Sequence, residues 1–159
     1  MKKPKLPKKK RMKDIADRLW AIAVKDDWGW KCACCGRSGL LNSHHLLPRQ
    51  HTATRYNLLN GICLCKRCHQ FCPDFSPHQN AAGFSLWLAT YPSAYAWVMV
   101  NILSGDHKKF DGRTDDAYYC GIILGLKQYV GNTKYLEIVG QKFAEILDEI
   151  AVDTESPEV

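Results

Sequence analysis

The sequence has no apolar run long enough to cross a bilayer. The longest, Ala94 to Val100, has seven residues, against the roughly 18 that a spanning helix needs. No membrane partner is expected. The basic N-terminus does not lead into the apolar stretch of a secretory signal either, because Asp14, Asp17 and Arg18 follow it. A cytoplasmic chain is the expectation. No internal repeat is visible, which excludes a solenoid or propeller. With 46% hydrophobic and 24% charged residues, the composition also excludes wholesale disorder and a fibrous protein. A length of 159 residues suits one domain with tails.

Acidic residues are scarce in the front half. Residues 1–78 hold 16 Lys and Arg against 5 Asp and Glu, whereas residues 79–159 hold 6 against 11. A polyanion bound by the N-terminal half, supported by a helical C-terminal half, fits that split. Residues 1–13 carry eight Lys or Arg and little that is apolar, so they read as a disordered basic arm. Asp14 can cap a helix through residue 30, with Ile15, Leu19, Trp20 and Ile22 at helical spacing. Residues 80–150 read as four helices, broken near Pro92 and Gly131. Residues 151–159 read as an acidic, frayed tail.

What is abundant is cysteine, eight in all. In a reducing compartment these serve better as metal ligands than as disulfides. Cys32-x2-Cys35 and Cys65-x2-Cys68 are two knuckles separated by 29 residues, a set able to close a tetrahedral structural Zn2+ site with four thiolates. The separation exceeds that of common four-cysteine modules, so a hairpin must be held between the knuckles. Leu40 to Leu47 and Ile62 to Leu64 supply its strands, and Asn60-Gly61 is a turn signal. Cys34, Cys63, Cys72 and Cys120 read as thiols outside the metal's ligand set.

Within that hairpin lie Ser43-His44-His45-Leu46-Leu47-Pro48 and Asn57-Leu58, followed by Leu64-Cys65-Lys66-Arg67-Cys68-His69. This order resembles the HNH endonucleases, the ββα-metal nucleases, over residues 32 to about 72. The resemblance implies an α+β fold, a small zinc-stapled ββα-metal motif at 31–79 embedded in a mostly α-helical domain. It also implies DNA as partner and hydrolysis of its phosphodiester bonds as activity. His45 would be the general base and Asn57 the residue bracing the loop that carries it. His44 and His69 would hold a catalytic divalent ion, Mg2+, Mn2+, Ni2+ or Zn2+. Adjacent strand residues point to opposite sides, which suits different jobs for His44 and His45.

The pattern departs from the family after His69, where Pro73 threatens to cut the helix short. His51 is open as a third ligand, a phosphate contact or a solvated loop residue, and His78 reads as part of a capping segment in preference to a residue backing a metal ligand. Arg49, Arg55, Lys66 and Arg67 flank the motif and are candidate phosphate contacts. Aromatic residues at 87–97 read as packing between helices. Two rival readings remain: a non-catalytic zinc-dependent DNA-binding module, and a redox or metal-storage thiol protein. The layout suggests a phage-infected or bacterial cell, and the sequence leaves open whether two copies pair as a homodimer.

Overall fold

A computed structural model describes residues 7–110, 112–131 and 133–155. It is a mixed helical and sheet protein with one small antiparallel sheet. The elements run α1 (Lys8–Asp27), β1 (Leu41–His45), β2 (Gly61–Cys65), α2 (Ala81–Leu88), α3 (Pro92–Ser104), α4 (Asp116–Lys127) and α5 (Thr133–Glu155). Among the described residues, no helix is long and apolar enough to cross a membrane.

Where the sequence suggested one folded unit, the chain divides into two, Met1–Leu19 with Arg113–Val159, and Trp20–Gly112. The first is built on helical stripes. Met12, Ile15, Ala16 and Leu19 are buried on α1, Tyr119, Ile123 and Leu126 on α4, and Val139, Phe143 and Ile146 on α5. Each set recurs at three and four residues, the period that puts side chains on one helical face. Arg11 pairs with Glu149 through both guanidinium nitrogens, linking α1 to α5.

Two boundary expectations are corrected here. The helix begins at Lys8 rather than Asp14, so residues 8–13 of the predicted arm are helical. Met12, fully buried within the basic run, gives that turn an apolar anchor. Residues 1–6 of the arm lie outside the described residues. At the other end, α5 runs through Glu155, so the predicted acidic tail is helical for its first five residues.

The second unit is built around the hairpin. β1 and β2 pair antiparallel with His44 opposite Ile62 and His45 opposite Gly61. Asn60-Gly61 is not a two-residue hairpin turn, because residues 46–60 connect the strands and Gly61 is already the first residue of β2. Glycine is required there for a different reason. A Cβ at 61 would overlap the Val24 methyl and press on the Trp20 ring, so the strand can approach the helix only without one. Every residue of β2 is buried.

After β2 the chain makes a single helical turn, Arg67–Phe71, that ends at Cys72 directly before Pro73. Proline thus stops the element at about one turn. Further on, Asn80 caps α2 by accepting from the Gly83 N–H at 2.8 Å, and Pro92 opens α3. Phe84 and Leu88 of α2 and Val98 of α3 join Ile62 and Leu64 in the core of this unit.

Candidate metal centres

Two clusters of metal-ligating side chains meet on the hairpin unit. In the first, the sulfurs of Cys32, Cys35, Cys65 and Cys68 all lie within 4.8 Å of one another. Local backbone structure brings them together: the Cys32 N–H donates to the Arg37 carbonyl at 2.8 Å, and the Ala33 N–H donates to the Cys63 carbonyl at 2.8 Å. The first knuckle is therefore stitched to β2. Cys35 Sγ and Cys65 Sγ stand 3.7 Å apart. Zn–S bonds of about 2.3 Å at the tetrahedral angle put sulfurs about 3.8 Å apart, so the spacing fits such an ion.

The electrostatics point the same way. Burial raises the Cys32 thiol, but N–H groups of Cys65, Cys35 and Cys34 aimed at the sulfur outweigh it and bring the pKa down to about 7. Cys68 is driven far up, first by burial and then by the thiols of Cys65 and Cys35 beside it. Four thiolates cannot share so small a space without a cation. The four cysteines could hold a structural metal. Cys34, Cys63, Cys72 and Cys120 lie outside this set. Burial pushes the Cys63 thiol up to about 11, the behaviour of an inert protonated thiol.

The second cluster joins His44 of β1, His69 of the helical turn and His78 of the loop before α2. His44 Nδ1 lies 3.0 Å from His69 Nε2, and His78 Nε2 lies 3.3 Å from the same His69 atom. Three ring nitrogens thus converge. Ligands on one ion at about 2.1 Å sit about 3.0 to 3.4 Å apart. Burial, then neighbouring His69 and His78, hold the His44 imidazole down to about 3, and burial also lowers His69. Neutral rings with lone pairs facing one another are what a cation needs. His78 was the residue that the sequence reading missed. Its signal was a third histidine following the second knuckle closely, hidden by a proline-bearing segment that resembles a cap.

His45 faces the opposite way, as strand alternation requires. Its ring stacks on Trp20 with centroids 3.7 Å apart and 13° between planes, and its Nε2 lies 3.0 Å from the Arg55 carbonyl oxygen. A carbonyl only accepts, so Nε2 carries the hydrogen and Nδ1 carries the lone pair of the neutral ring. Trp20 is held in turn by its Nε1–H donating to the Asn57 carbonyl at 3.0 Å.

The brace expected of Asn57 is made by Asn60. The Asn57 side chain caps the short turn Leu58–Asn60 by accepting from Leu59 N–H. Asn60, fully buried, accepts from Leu47 N–H at 2.7 Å and donates to the Leu47 and Thr54 carbonyls at 3.2 and 3.1 Å. It ties together the connection between the strands.

The cations are dispersed. Arg49, Lys66 and Arg67 are exposed, and Arg55 donates to the Arg49 carbonyl at 2.6 Å. His51 stands apart from both clusters, edge-on to His107 at 4.8 Å between centroids. Between Asp27 and Asp74 there is no acidic residue, while Lys31, Arg37, Arg49, Arg55, Lys66 and Arg67 all fall there. The four cysteines, His44 and His69 therefore stand in a stretch of sequence free of carboxylates and rich in cations, and His78 follows just after Asp74. Compared with protein-family models, curated proteins and solved structures, the chain matches none.

Proposed function

We propose that the chain is an HNH-type endonuclease that hydrolyses DNA phosphodiester bonds, using a structural Zn2+ on the four cysteines and one catalytic divalent ion on the histidines. The observation that carries this reading is the convergence of His44, His69 and His78 on one point beside a general-base candidate facing the other side of the same strand. A closed four-thiolate set and an open three-nitrogen set are the respective signatures of structural and catalytic metals. Metal storage by excess thiols explains neither the histidines nor the cationic segment.

A phosphodiester resists attack because its own negative oxygens repel the nucleophile and its alkoxide leaves poorly. His44, His69 and His78 would hold the divalent ion, which when bound would supply positive charge to offset that of the phosphate and of the leaving alkoxide. His45 Nδ1 takes the proton of the attacking water. The Arg55 carbonyl keeps the hydrogen on Nε2, and the Trp20 face holds the ring in plane. Asn60 fixes the loop from which that carbonyl projects. Arg49, Lys66 and Arg67, which are exposed, would hold neighbouring phosphates.

Cleavage of a supercoiled plasmid with several divalent ions tests the reading. Mn2+ or Ni2+ should outperform Mg2+, which prefers oxygen ligands. His45→Ala should lower the rate on the order of 10²–10⁴-fold with zinc content and circular dichroism unchanged. DNA binding with no cleavage under any ion would favour the non-catalytic zinc-dependent module instead.

A further inference from the structure

We infer that the surface flanking the four-cysteine centre receives DNA with unpaired bases, which stack on Trp30 and Phe71 while lysines hold the adjoining phosphates. This inference rests on the nucleic-acid part of the function proposed above and is independent of cleavage.

Trp30 lies two residues before Cys32, and Phe71 three residues after Cys68. Both rings stay on the surface, 42% and 59% exposed, although an apolar core lies on the same unit. Each carries a lysine over its ring, Lys25 Nζ at 5.6 Å from the Trp30 centroid and Lys66 Nζ at 5.6 Å from that of Phe71. A ring with an ammonium beside it is the pairing that single-strand-binding grooves use, one group for the base and the other for its phosphate.

The backbone at Trp30 strengthens the case. Its φ is +54°, and it follows Gly29 at +57°. One left-handed residue is enough to end α1, and glycine supplies it without strain. A second, at a bulky side chain, is strained, and such strain is retained where the side chain's position matters. The indole is also fixed in place. Its Nε1–H donates to the Asp26 carboxylate at 2.6 Å, and neighbouring Trp28 donates to the Gly61 carbonyl on the strand opposite His45.

Charge selects the occupant. The six cations and absent carboxylates of residues 28–73 attract a polyanion. Paired duplex bases hide their faces in the stack, so these rings gain from a base only where it is unpaired, in a single strand, flap or branch.

The test is fluorescence anisotropy with the full zinc-loaded chain and no added divalent ion. The probes are a labelled 20-nucleotide strand, a duplex of equal length, and that duplex with an unpaired flap. The parent should prefer the strand and the flap. Trp30→Ala and Phe71→Ala should each weaken strand binding roughly 5- to 150-fold and duplex binding less than twofold, with zinc content unchanged. Trp30→Leu, apolar without a π face, should match Trp30→Ala, whereas Trp30→Phe should keep most of the affinity. Equal losses on strand and duplex, or no loss on either, would overturn the inference and leave the nuclease reading standing. A parent that binds none of the three DNAs would overturn both.

Discussion

The two clusters sit on the hairpin unit and would meet an ion in opposite ways. Three of the four cysteines are buried, backbone N–H groups point at Cys32, and the sulfur spacing already matches a bound tetrahedron. The histidines are half-buried or, at His78, exposed, and leave positions around an ion for something else. Four donors close a coordination sphere and make the metal part of the fold. Three donors with an open side make it a reagent. The difference teaches that ligand count and access separate the two roles better than ligand chemistry alone.

Cys65→Ser should have the largest effect. A structural zinc contributes on the order of 10 kcal/mol of apparent binding energy, comparable to the roughly 5–15 kcal/mol net stability of a whole domain. The variant should lose zinc and the circular dichroism of the hairpin unit together; a folded, zinc-free Cys65→Ser would break the contrast between the centres. By comparison, His78→Ala should fold normally with its zinc. Its second ion should bind at least tenfold more weakly, seen as activity recovered only at higher metal concentration. Unchanged metal dependence would return His78 to the capping role.

Next in size is the asparagine pair. Asn60→Ala strands the buried N–H of Leu47 and takes a donor from the Leu47 and Thr54 carbonyls, at about 1–3 kcal/mol for an unsatisfied group. Asn57→Ala loses one exposed cap, worth about 1 kcal/mol. Urea midpoints should rank them in that order, and the reverse order would restore Asn57 as the brace. A further effect concerns pH. His44 is held near 3 in the fold and returns to about 6.5 when unfolded. Between those values the unfolded chain binds more protons, so stability falls as pH drops through the window and is recovered above it. With no divalent ion added, His44→Gln should lose less stability than the parent between pH 7 and 5. Equal losses would mean that His44 is not the group responsible.

Much of this was legible in the sequence, for reasons that differ by element. The cysteine pairs were readable because a tetrahedral ion demands two donors within one tight turn, and the x2 spacing records that demand. That His44 and His45 face opposite sides followed from strand alternation, whereas the roles expected of them came from the resemblance. Helix α3 announced itself through Pro92, and the break between α4 and α5 through Gly131. His78 did not, because it reaches the site through a loop, where no period ties sequence to space. Asn60 was masked by Gly61, since the same dipeptide that marks tight turns here marks a buried amide followed by a close approach. The early start of α1 was hidden by its lysines, whose charge outweighs in composition the single methionine that anchors the turn.

Gly61 shows that this unit is also intolerant of inherited variation away from its chemistry. It carries no functional group, yet adding one methyl would wedge α1 away from β2 and tilt the indole that backs His45. A tightly constrained position of the hairpin is thus one at which chemistry-minded mutagenesis would never look, and a collection of random inactive variants should contain it.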